Sequence, residues 1–242
     1  MQDTRVVVTG AGRGFGRALA VGFARSGAEV FLSARRIESA EAVRDEIRAL
    51  GHERVHAFTC DLGDPASVRD FTRKVGEWTD RVDILLNNGA AWLDATDLEE
   101  AGDDDIAAAI ASGGTGTVLL TKHMLPLLRG SDRPDIVTMV SSVASGRSNA
   151  GIGNPAFAAA KGAQANFSDI MSERLRPHGI RVIALYPPDF TDLDPLSEEW
   201  ESAVRGPSSM LTARSVLDCV LFAVNQPRDC FIRTFEFEPL PS

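Results

Sequence analysis

The chain has 242 residues, of which 44% are hydrophobic and 24% charged, and its formal net charge is −9. That length suits one α/β domain, residues 1–242, with a core large enough to need neither disulfides nor a structural metal. The acidic balance argues against a nucleic-acid surface, which needs a basic stripe, and against docking on anionic lipid. Cys60, Cys219 and Cys230 are too scattered for a disulfide framework or a zinc site, and they fit a reducing cytosol. No signal peptide precedes Arg5 and no apolar run is long enough to span a bilayer, so the expected location is cytoplasmic.

From the amino end, RVVVT (5–9) reads as a buried parallel strand. TGAGRGFG, Thr9 to Gly16, follows it directly and opens the amphipathic stretch GRALAVGFARSG, with Gly27 as its cap. Gly10 permits a sharp turn, and Gly14 and Gly16 let backbone or a pyrophosphate approach without a Cβ in the way. The free N–H groups of the helix then face the anion. The position of this pattern, at the first strand–helix junction, is where that mechanism needs it.

The second strand, EVFLS (29–33), ends in SARR, Ser33 to Arg36. An NAD site usually carries an acid there for the ribose 2′-hydroxyl. Arg35 instead offers a fork for a 2′-phosphate, and Arg13 adds a second cation, so NADP(H) is expected over NAD(H). A helix over ESAEAVRDEIRALG leads to the strand RVHAFT (54–59). DPASVRDFTRKVGEW then starts with an Asp cap and Pro65 at the first helical position. Strands follow at DILL (83–86), DIVTMV (135–140) and IRVIAL (180–185). The alternation predicts a doubly wound parallel sheet with helices on both faces. Residues 187–211 differ: they hold Pro187, Pro188, Pro195 and Pro207, an acidic run and little periodicity. They follow a strand at its ligand-binding end, which predicts a substrate lid, with a solvated connector as the plainer alternative.

Several further motifs stand in order. CDL (60–62) places Asp61 and Leu62 after the third strand, and LLNNGA (85–90) places Asn88 after the fourth. VSSVASG (140–146) holds Ser142 and Ser145, FAAAK (157–161) holds Phe157 and Lys161, and RVIALYPPDFTD holds Tyr186, Pro187, Asp189 and Thr191. With the glycine pattern, this series resembles the short-chain dehydrogenase/reductase family nearly end to end. The resemblance implies a single Rossmann-like domain with a seven-stranded parallel sheet, whose last strand lies in CFIRTFEFEPL. It implies hydride transfer between a nicotinamide and a carbonyl or alcohol, and a dimer or tetramer built on two helices, here 98–111 and 116–129. It implies cofactor contacts from Gly10, Arg13, Gly14, Phe15, Gly16, Arg35, Asp61, Leu62, Asn88, Lys161, Pro187 and Thr191.

The same resemblance marks where the chemistry departs. The family pairs a serine, here Ser142 or Ser145, with a tyrosine and a lysine, here Lys161; the tyrosine position is Phe157, which has no proton to give. The family asparagine falls on Gly113, the turn NNGA inverts its last two residues, and the Pro-Gly turn has become Pro187-Pro188. Losing one positioned acid costs on the order of 10²–10⁴ in rate without removing the proximity term. Tyr186, the only tyrosine, and Asp189 are alternative acids, beside water or a phenol on the substrate. His123 and His178 read as structural or surface residues, and Trp92 and Trp200 as pocket or packing residues. The expected activity is an NADP(H)-dependent ketoreductase with a reworked site for an aromatic or polyketide-like ketone. The competing reading is a degenerate NADP-binding subunit or sensor, or a cyclase or dehydratase on the same fold.

Overall fold

The computed structural model describes residues 1–93, 97–144, 153–206 and 209–238. Ser145, and most of the segment between it and Asn154, lie outside the described residues.

The chain winds β1 (Arg5–Val8), α1 (Gly14–Arg25), β2 (Glu29–Ala34), α2 (Ile37–Ala49), β3 (Val55–Thr59), α3 (Pro65–Trp78) and β4 (Ile84–Asn87). It continues through α4 (Asp103–Ile110), α5 (Thr117–Arg129), β5 (Asp135–Met139), α6 (Pro155–Leu175) and β6 (Arg181–Tyr186). Then come β7 (Phe190–Thr191), α7 (Glu198–Ser202), β8 (Leu211–Thr212), α8 (Ala213–Asn225) and β9 (Thr234–Glu236). Seven strands form one sheet in the order β3-β2-β1-β4-β5-β6-β9, and every pair in it is parallel. This is the Rossmann-like α/β architecture that the strand–helix alternation predicts.

Because side chains alternate along a strand, consecutive residues feed opposite faces. Val6 and Val8 pack with Phe23, Val43 and Val216 from α1, α2 and α8. Val7, between them, packs with Phe71, Leu120 and Met124 from α3 and α5. The register Val7↔Leu85 and Val7↔Phe31 keeps both layers continuous across β1, β2 and β4. Local signals set the ends. Asp64 accepts from the Ala66 and Ser67 amides ahead of α3, and Asn154 accepts from the Ala156 amide ahead of α6, each with proline next in the chain. Gly27 and Gly51 take φ of +87° and +89° just past α1 and α2.

Two expectations change. The helices read at 98–111 and 116–129 are one continuous helical run from Asp103 to Arg129, because Ala111–Gly116 form a wider, π-helical turn that joins α4 to α5. Glycines make this possible: a Cβ on Gly116 would overlap the Leu62 carbonyl oxygen, and one on Gly113 would press on Ala160 Cβ at 3.1 Å. The described residues of the segment 187–211 also carry more regular structure than their sequence suggests. Phe190 pairs with Leu211 and Thr191 with Thr212, and Ser197 caps α7 through the Trp200 amide. Trp200 is buried in the main core, a packing residue rather than a pocket wall.

Candidate active site

The carboxyl ends of β1, β2 and β4 meet at the glycine-rich turn. Gly10 and Gly14 adopt φ of +67° and +58°, where a side chain is strained. A Cβ on Gly10 would lie 2.7 Å from Gly89 Cα, and one on Gly16 would collide with the Gly10 carbonyl oxygen. Thr9 ties this turn to the next strand: its hydroxyl donates to the Leu86 carbonyl and accepts from the Asn88 and Gly89 amides. Asn88 Nδ2 in turn donates to the Thr9 carbonyl at 3.1 Å. Leu62 closes the floor, since its Cδ1 lies 2.7 Å from where a Gly89 Cβ would stand. Asp61 is half-buried, and its carboxylate accepts from the Gly63 amide at 2.8 Å. Phe15 is buried, with its ring edge-on to Phe190 at 5.3 Å.

The amino end of α1 has no side-chain cap and no acid in its first turn. Its first N–H groups therefore lack the partner that Asp64 and Asn154 supply elsewhere. Beside it, a cavity of about 570 Å³ is lined by Gly12, Arg13, Gly14, Arg36 and Ser39 on one side and by residues 192–195 on the other. Arg13, Arg35 and Arg36 are all exposed and form no ion pair among the described residues. Arg36 and Ser39 line this cavity, and Arg35 does not. The Thr191 hydroxyl is buried and has no hydrogen-bond partner among the described residues. A side-chain-free cradle, an uncapped helix end and an orphaned hydroxyl are what a pyrophosphate-bearing ligand with a basic-patch substituent fits.

Along β5 and α6 lies the second half. Lys161 is 5% exposed. Its ammonium donates to the Met139 carbonyl at 2.8 Å and to Gln164 Oε1 at 3.0 Å, and lies 5.5 Å from the centre of the Phe157 ring. Gln164 Nε2 donates to Thr117 Oγ1 at 2.7 Å, so α5 braces the amide that holds the lysine. Burial lowers the Lys161 pKa to about 8. The helical turn Ser142–Ala144 packs on α6, and the Ser142 amide donates to the Pro187 carbonyl at 2.9 Å, joining the ends of β5 and β6. Ser141, just before it, has φ of +99°, a strained conformation for a residue with a Cβ. Phe157 is buried with Leu93 and Ala156, flanked by Ile106 and Val143, and Trp92 covers it edge-on at 4.8 Å while remaining largely exposed. Sequence reading missed Gln164 and Thr117, although Gln164 stands at i+3 from Lys161 on one helical face.

Other candidate acids are elsewhere. Burial raises the Tyr186 pKa, helped by Asp169 and Glu236 and opposed by Arg233. Asp169 lies eight residues beyond Lys161 on α6, about 12 Å along the axis. Asp189 and His178 are exposed, and half-buried His123 sits on α5. No group of three or more metal-ligating side chains occurs among the described residues. No described helix is long and apolar enough to cross a membrane.

Comparison with known proteins agrees with this geometry. The family model described as short chain dehydrogenase matches residues 4–202. An uncharacterized oxidoreductase of Mycobacterium tuberculosis is 30% identical over 187 residues, covering 77% of this chain and 69% of that protein. Human retinol dehydrogenase 13 is 31% identical over 195 residues, 75% of this chain and 57% of its own length. Among solved structures, a metagenomic short-chain oxidoreductase in complex with NADP superposes with a TM-score of 0.81 at 26% identity, covering 99% and 98% of the two chains. A Burkholderia cenocepacia short chain dehydrogenase in complex with NADP gives 0.80 at 28% identity, covering 98% and 97%.

Proposed function

Since the chain belongs to the short-chain dehydrogenase family, we propose that it is an NADP(H)-dependent oxidoreductase that reduces a carbonyl in a site rebuilt around Phe157. The observation that carries this reading is the uncapped, glycine-built amino end of α1, with a Thr191 hydroxyl that has no hydrogen-bond partner among the described residues. Gly10, Gly14 and Gly16 would admit the pyrophosphate, Arg13 and Arg36 would hold a 2′-phosphate, and Lys161 would hold the ribose next to the reactive ring. NADPH, when bound, supplies the hydride. The Ser142 hydroxyl would donate a hydrogen bond to the carbonyl oxygen as negative charge builds there. Phe157 offers no proton, so a water or a phenol on the substrate supplies it. Trp92, Phe157 and Leu93 form an apolar wall that suits an aromatic ketone and keeps bulk water off the reacting atoms. The substrate is a small molecule, and the location that matches the acidic charge and three free cysteines is the cytoplasm. Exposed Ile110, Val118 and Ile170, on α4, α5 and α6, favour a homodimer or homotetramer.

The test is NADPH consumption with a panel of aromatic and aliphatic ketones. The expected outcome is turnover on aromatic ketones, with Lys161→Ala lowering it by about 10²–10⁴-fold. A second reading rests on the absence of a hydroxyl at Phe157 and of an amide at Gly113: a dinucleotide-binding partner subunit, or a non-redox enzyme. Tight NADPH binding with no consumption on any ketone would favour it.

A further inference from the structure

The segment 190–197 lies across the glycine-rich turn. Phe190 packs its ring on Phe15, the first buried side chain of α1. Asp194 receives a 2.6 Å ion pair from Arg17, which also binds Glu46 on α2 at 2.8 Å, and Arg25 donates to the Pro195 carbonyl. Between these anchors stands Asp192. Its Oδ2 lies 2.8 Å from where a Cβ on Gly14 would be, so the carboxylate rests against a glycine of the turn. The charges acting on it are Arg13 and Arg17, both at the start of α1. A carboxylate thus lines the same cavity as the uncapped start of α1, with no hydrogen bond to its N–H groups among the described residues.

We propose that Asp192 is a built-in competitor for the phosphate cradle: it rests on Gly14 when no dinucleotide is bound and must leave before a pyrophosphate enters. This rests on the reading that the cradle takes a nicotinamide dinucleotide. A pyrophosphate at that helix end and a carboxylate against Gly14 would repel each other in a partly desolvated cleft. Arg13, whose charge acts on Asp192 without an ion pair among the described residues, would turn to the phosphate. The Asp194–Arg17 ion pair and the Phe190–Phe15 contact would keep the segment close through the exchange. Burial already pushes the Asp192 carboxyl up despite the two arginines, so its contact in the free protein is a compromised one. The dinucleotide's affinity would therefore be set partly by a residue that need not touch it when bound.

The experiment is a calorimetric titration of the full chain with NADPH, comparing wild type, Asp192→Asn, Asp192→Ala and the control Asp189→Asn, which removes one exposed carboxylate nearby. The expected result is a dissociation constant about tenfold lower for both Asp192 variants, with less than twofold change for Asp189→Asn. Thermal melts without ligand should show Asp192→Asn to be no more stable than wild type, because the free protein loses a contact. Wild-type binding with an Asp192→Asn constant that is unchanged or weaker overturns the inference and leaves the dinucleotide reading intact. Equal tightening by Asp189→Asn overturns it too, since a general charge effect would then suffice. No NADPH uptake by any of the four proteins overturns the dinucleotide reading itself, and this inference with it.

Discussion

Burial strips water from the Lys161 ammonium and leaves it a carbonyl oxygen, an amide oxygen and an aromatic ring. Its folded pKa of about 8 lies below the unfolded value of about 10.4. Below pH 8 both states carry the proton, and folding bears the full cost of burying the charge. Between the two values the folded state sheds the proton while the unfolded chain keeps it, so this cost falls as pH rises. Urea unfolding of wild type and Lys161→Met should therefore converge or cross: the difference should move in favour of wild type by roughly 2 kcal/mol from pH 7 to pH 10. A pH-independent difference would mean that the ammonium is better solvated than its surroundings imply. At this scale the sequence carried much of the site. Gly10, Gly14, Gly16 and Lys161 were readable because their chemistry allows few residue types. That Arg36 lines the cavity was not legible, because one residue at a strand end decides which side of the turn a guanidinium reaches. Asp192 was not, because only the folded path of a distant segment brings it to Gly14.

At the scale of elements, the join between α4 and α5 depends on close approach. Gly116 stands against the Leu62 backbone with no room for a methyl group. Gly116→Ala should lower unfolding stability by about 1–3 kcal/mol or more, read from chemical denaturation, since backbone must shift to admit it. Gly76, inside α3, meets nothing within 4 Å. Gly76→Ala should raise stability by about 0.5–1 kcal/mol through the helix's conformational entropy alone. The opposite signs of two identical substitutions are the check. The six strands from β1 to β6 were readable to within a residue because buried parallel strands are nearly continuous apolar runs. The π-helical turn was not: SGGTG reads as a break when only intrinsic propensity is weighed. Contacts with Leu62 and Ala160 reverse that by rewarding a backbone that carries no side chains. The ribbon of β7 and β8 was hidden for a related reason, since two residues cannot show a period.

Across the whole molecule, the two ends of the sheet divide the work. The carboxyl ends of the strands hold the cradle and Lys161, while the amino ends are locked by a buried ion pair. Asp135 opens β5 and binds Arg181, which opens β6, through two bonds of 2.6 and 2.8 Å. Arg181 also donates to the carbonyls of Val224, Gln226 and Cys230, and Arg228 reaches Asp135 at 2.7 Å. This one guanidinium thereby fastens the end of α8 and the lead into β9 to the sheet. Removing its partner would leave a buried charge uncompensated, so Asp135→Ala should cost about 3–5 kcal/mol of stability. The NADPH dissociation constant, measured where the variant is folded, should stay within twofold, because the site lies at the opposite edge. At the ligand edge, the two residue pairs that join β7 to β8 hem the base of everything between them. The described residues between Thr191 and Leu211 thus form an excursion fastened where it leaves the body. Its exposed residues can change composition while this two-stranded seam and the buried Trp200 stay in place.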